Sequence, residues 1–98
     1  MQFSVRTNNY QKQSMLNICD ADLLGKKIIE NDLTIYISEN YYGERFVEKD
    51  EAESLLKNSS IINMAGKETV SLSLKLGIGS ENAVKIVSDV PFLIIFNM

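Results

Sequence analysis

Thr69-Val70-Ser71-Leu72-Ser73-Leu74-Lys75-Leu76-Gly77-Ile78 alternates apolar with small or polar residues, as a half-buried strand does, yet it also fits a helix. At about 100° per residue, Ala65, Thr69, Leu72 and Leu76 gather on one side, and Val70 and Leu74 widen that arc. Lys67, Glu68, Ser71 and Lys75 fill the opposite side. Unbranched leucines favour a helix, and Gly77 supplies a residue that can take the left-handed exit. The reading predicts a helix over 66–76. That choice decides the fold, because a strand here would leave the chain with only one helix of any length.

Downstream, 84–87 and 90–96 read as strands parted by Ser88-Asp89, with Pro91 restricting the second to an edge or a strand start. The segment 90–96 carries no charge, so it should be buried within the sheet; an edge shared with a second copy is the other arrangement that would protect it. Upstream, Asp50 and Glu53 have capping-box-like spacing, and Ala52, Leu55 and Leu56 form an apolar stripe, which predicts a helix over 50–58. Asn40-Tyr41-Tyr42-Gly43 reads as a turn bearing two aromatics. Asn31-Asp32 joins 27–30 to 33–38 as a hairpin, with Leu33, Ile35 and Ile37 on one side. Asp20 to Gly25 reads as a single helical turn capped by Asp20. The first segment predicts a hairpin of 2–7 and 13–19, turning through the asparagine-containing stretch 8–12. The pattern is α+β in two layers: a mixed or antiparallel sheet of about four to six strands with two short helices on one face.

Ninety-eight residues at 45% apolar and 23% charged make one domain with an ordinary core. Cys19 is alone and histidine is absent, which excludes an intrachain disulfide and a cysteine–histidine zinc site. The N-terminal residues lack a signal-peptide pattern and no apolar run is long enough to span a bilayer, so a cytoplasmic, non-membrane protein is expected. Charge is uneven: residues 1–29 sum to +2, 30–53 to −6 and 54–98 to +1. The acidic middle argues against a phosphate-tracking surface over the whole molecule, not against a local basic patch.

Four motifs in register resemble a small archaeal family of uncharacterised proteins, domain of unknown function 424. They are Cys19-Asp20-Ala21-Asp22-Leu23-Leu24-Gly25-Lys26, Tyr41-Tyr42-Gly43, Ala52 with Leu55-Leu56, and Asn63-Met64-Ala65-Gly66 followed by Val70. The resemblance implies a compact two-layer α+β fold, no established activity and an association with translation. The chain departs from the family pattern at Glu44, where a second glycine is frequent, and at Phe92, where a histidine is common.

Two functional readings follow. In the first, Lys26 and Lys27, with Tyr41 and Tyr42, form a binding surface for RNA, a ribonucleoprotein or a protein partner, without catalysis and without a cofactor. In the second, Asp20, Asp22 and Cys19 serve a small enzyme or a divalent-metal site. The bland accounts are solvated lysines, half-buried tyrosines, a capping aspartate and a small apolar cysteine. The missing histidine removes the usual base for a cysteine nucleophile and favours the binding reading.

Overall fold

A computed structural model describes residues 1–96, apart from the side chain of Tyr10. In chain order the elements are β1 (Gln2–Tyr10), β2 (Gln13–Asp20), β3 (Lys27–Glu30), β4 (Leu33–Tyr36), α1 (Glu39–Tyr42), β5 (Arg45–Glu48), α2 (Lys49–Asn58), β6 (Ile61–Ala65), α3 (Lys67–Lys75), β7 (Lys85–Val87) and β8 (Val90–Phe96). Six strands form one sheet in the order β5-β1-β2-β6-β8-β7, and β3 and β4 form a separate two-stranded sheet. The main sheet is mixed. Among the described residues the β2–β6 pair alone is parallel, and the other pairings of this sheet are antiparallel.

The segment 69–75 is helical, as the angular argument predicts, and 76–78 form the turn that ends it. Thr69, Val70, Leu72 and Ser73 are buried while Ser71 and Lys75 are exposed, a spacing that no strand produces. The helix stops as a Schellman motif: Ile78 N donates to Ser73 O at 2.9 Å and Gly77 N to Leu74 O at 3.0 Å. Gly77 takes φ +76° to make that turn.

α2 and α3 cover the front of the sheet. Phe3 and Val5, Leu16 and Ile18, Ile62 and Met64, and Leu93 meet Ala52 and Leu56 of α2 and Val70 and Leu72 of α3. Behind the sheet the chain from 21 to 44 folds back as a partial cover. Ile28, Ile37 and Tyr42 pack there with Cys19, Ala65 and Val87.

Three local expectations need correction. The first hairpin turns at Gln11-Lys12, both at positive φ, so Asn8 and Asn9 lie within β1 instead of in the turn. The pairing of Phe3 with Asp20 through Tyr10 with Gln13 fixes a two-residue connection, and that register overrides the turn preference of asparagine. The stretch 61–65, whose pattern predicts no strand, is the central strand β6. Both of its faces are covered along most of its length, so it shows no polar alternation to betray it. Residues 40–43 are not a plain turn either, since 39–42 makes one α-helical turn with Ser38 Oγ accepting from Tyr41 N at 3.2 Å.

Candidate functional site

The parallel pair places the carboxyl ends of β2 and β6 side by side. From there the chains diverge: β2 runs into the rear cover, and β6 runs through Gly66 into α3 at the front. A crevice of about 520 Å³ opens at this divergence, lined by Asp20, Asp22, Gly66, Lys67, Glu68 and Asp89 with several apolar neighbours. Such divergence points are where open α/β sheets commonly hold ligands.

Within it, Asp20 has a structural task. Its carboxylate accepts from Thr69 N at 2.8 Å, Thr69 Oγ1 at 2.7 Å and Glu68 N at 3.1 Å. It therefore caps α3 across 49 residues of chain, and makes no side-chain cap to the 3₁₀ turn that follows it. The cap residue of α3 itself is Gly66, at φ +112°, which has no side chain to offer. A Cβ there would fall on the Asp20 carboxyl group, so the glycine makes room for the aspartate. Asp22 is exposed, and among the described residues no three acidic or sulfur side chains are placed to hold a metal ion.

Cys19 is 0% exposed. Burial pushes its thiol up to about 12, and the negative charges of Asp20 and Asp22 push in the same direction. The thiolate that nucleophilic chemistry needs is thus disfavoured.

The four proposed binding residues do not form one platform. Lys26 and Lys27 are exposed, and the Lys27 ammonium lies 5.9 Å from the ring centre of Tyr36, its cross-strand partner. Tyr41 is 44% exposed, but Tyr42 is 7% exposed and unavailable for stacking. The two rings meet edge to face at 4.9 Å. Burial, followed by the neighbouring Tyr41 and Cys19, raises the Tyr42 phenol above its usual range. Side chains on the sheet hold this segment down: Ser4 Oγ donates to Tyr42 O at 2.9 Å and Asn17 Nδ2 to Tyr41 O at 3.0 Å. These bonds satisfy carbonyls left without partners at the end of a one-turn helix.

Beyond that cover the rear of the sheet is exposed at Asn8, Ile94 and Phe96 and partly so at Arg6, Met15 and Asn63, while Asn17 and Ile61 lie buried among them, and here the register assembles a surface that no single motif announces. Arg6, Asn17, Asn63 and Ile94 form one row across β1, β2, β6 and β8, and Asn8, Met15, Ile61 and Phe96 form the next. The expectation that 90–96 is buried within the sheet holds only in part: β7 pairs with no more than Val90–Phe92, so Ile94 is 56% and Phe96 68% exposed. None of these eight residues is acidic, although the chain carries thirteen acids. Lys85, on the same face in the preceding row, flanks the β8 side. Neither Arg6 nor Lys85 has an ion-pair partner among the described residues. The acidic middle, by contrast, pairs its own cations, Arg45 with Glu51 and Lys49 with Glu53. The sequence signal for this face was the polar amide inside each apolar run: Asn17 between Leu16 and Ile18, and Asn63 between Ile62 and Met64.

No curated protein matches the chain. A crystal structure of an uncharacterized conserved protein from Methanopyrus kandleri is similar with a TM-score of 0.80 and 22% identity, over 100% of this chain and 95% of that one. At that identity the likeness concerns the fold. No helix is long and apolar enough to cross a membrane among the described residues. Residues 8–98 match the family described as Protein of unknown function (DUF424), and the chain belongs to that family.

Proposed function

We propose that this protein is a non-catalytic binding module whose ligand is single-stranded RNA, held on the open rear face of the sheet. One observation carries the reading: an acid-free sheet face in a chain of net charge −3, presenting an exposed Phe96, amide side chains and an arginine with no ion-pair partner among the described residues. Unpaired bases offer flat apolar faces and hydrogen-bonding edges, so exposed aromatic rings, amides and a few cations on a sheet are the groups that suit them. Phe96 supplies the stacking surface, Arg6 and Lys85 meet phosphates at the two sides, and Tyr41 borders the face where Asn17 holds its carbonyl. Lys26 and Lys27, on the neighbouring hairpin, extend the cationic margin in this reading. A reducing, cytoplasmic setting goes with it, given one cysteine and no disulfide. Association with a ribonucleoprotein is the assembly in which such a face would act.

The second reading, metal or enzyme chemistry at Asp20, Asp22 and Cys19, draws less support. One carboxylate is committed to a helix cap and the thiol is held protonated.

Fluorescence anisotropy with short labelled RNA tests the proposal. Saturable binding to single strands is expected, weaker for the same sequence as a duplex. Arg6→Ala should weaken it and flatten the salt dependence by roughly 0.7 log units per log unit of salt for a lost phosphate contact. Phe96→Ala should weaken binding by a stacking increment of about 1–3 kcal/mol. No saturable binding at micromolar protein, or binding indifferent to both changes, refutes it.

A further inference from the structure

The open face contains a side chain whose hydrogen-bonding direction is fixed in advance. A backbone carbonyl has no proton to give, so Tyr41 O requires the Nδ2 of Asn17, which it accepts at 3.0 Å. That turns Asn17 Oδ1 toward β6, where it accepts from Asn63 Nδ2 at 2.8 Å. Asn17 is almost wholly buried, so water does not compete for its amide. Asn63 is therefore oriented by a chain of two bonds anchored in the backbone. One N–H of its Nδ2 is used. Its Oδ1 and the second N–H have no partner among the described residues, and Asn63 is only partly covered.

An asparagine amide with one acceptor and one donor free matches the N6 amino group and N7 of adenine, the pairing by which Asn reads that base. Ile94, the cross-strand neighbour of Asn63, and Phe96, two residues along β8, supply an apolar floor beside the amide. We infer that Asn63 is the base-reading residue of this face and selects adenine in single-stranded RNA. The inference rests on the RNA reading above and adds to it a specificity that the platform alone does not have. Stacking accepts every base, whereas a fixed acceptor–donor pair does not.

The test compares short single-stranded homopolymers of adenylate, cytidylate and uridylate by anisotropy at one salt concentration. The wild-type protein should bind the adenylate strand roughly tenfold more tightly, one good bidentate contact's worth of discrimination. Asn63→Ala should bring adenylate binding down to the level of the cytidylate and uridylate strands measured with the same variant, with circular dichroism verifying the fold. Adenylate strands carrying 7-deazaadenine, or purine lacking the N6 amine, should lose the margin with the wild-type protein itself. That arm holds even if the variant fails to fold. Binding without preference for adenylate, or a preference that survives both Asn63→Ala and the modified bases, overturns the adenine inference and leaves the RNA reading standing. Absence of binding to all three strands overturns both.

Discussion

Replacing Asp20 with alanine should cost this protein far more than a surface substitution. The carboxylate makes three hydrogen bonds at the start of α3, two of them with Thr69, which is 0% exposed. Loss of an N-cap costs about 0.5–2 kcal/mol. Stranding the buried Thr69 hydroxyl without a partner adds about 1–3 kcal/mol. The two effects overlap, which places the expected loss near 2–4 kcal/mol. With a urea slope of about 1–1.5 kcal/mol/M for a chain of this size, the unfolding midpoint should fall by about 2 M. Gly66 provides an internal control. Gly66→Ala alone sets a Cβ on the Asp20 carboxyl and imposes a positive φ of +112° on alanine. In an Asp20→Ala background the collision is gone and only the backbone strain remains, so the second substitution should cost less there than in the wild type. Equilibrium urea denaturation of the four proteins supplies the cycle. A loss below about 0.5 kcal/mol for Asp20→Ala, typical of a plain surface site, or strictly additive changes, would refute the cross-chain cap.

Cys19 gives a pH prediction. Its folded thiol is raised from 9.0 to about 12, so the native state keeps its proton while the unfolded chain releases it. The contribution of this group is present in full below pH 9 and declines as pH rises toward 12, by at most about 1.4 kcal/mol per pH unit. Urea midpoints measured between pH 8.5 and 10 should fall less steeply for Cys19→Ala; equal slopes would contradict the shift. In the native protein at neutral pH, Cys19 should also resist iodoacetamide, and fast stoichiometric labelling would show that it is neither buried nor protonated. Leu72→Ala, deep between α3 and the sheet, should cost about 2–5 kcal/mol, whereas Ser71→Ala on the exposed side should stay within about 0.5 kcal/mol. Comparable losses for the two would mean that 69–75 is not packed as a helix.

Much of the architecture is written locally. The helical spacing of 69–78, the stripe of 50–58 and the turns at Asn31-Asp32 and Ser88-Asp89 each need only near neighbours to specify them, and each stands where the sequence puts it. What lies beyond local reach is pairing. Ile61–Ala65 is apolar apart from Asn63, and so short a run carries no period that separates a central strand from other buried chain. Asp20 sits before a short turn and looks like its cap, but the donors it serves lie 48 and 49 positions away and come near only when β2 and β6 lie parallel.

The same holds for the functional surface. Lys26-Lys27 and Tyr41-Tyr42 are consecutive pairs of residue types that suit RNA, yet packing buries one tyrosine and gives Lys27 a different aromatic partner. Arg6, Asn17, Asn63 and Ile94 are scattered over nearly ninety positions, and register alone makes them one row. The sequence by itself determined composition, the absence of histidine, the two longer helices and the hairpins at Asn31-Asp32 and Ser88-Asp89, because these depend on residues a few positions apart. Which strands are neighbours, which face stays uncovered and which amide is locked by which carbonyl were decided only in the tertiary structure. Side-chain direction in a sheet depends on a one-residue choice of register, and that choice is made by the burial of the whole core.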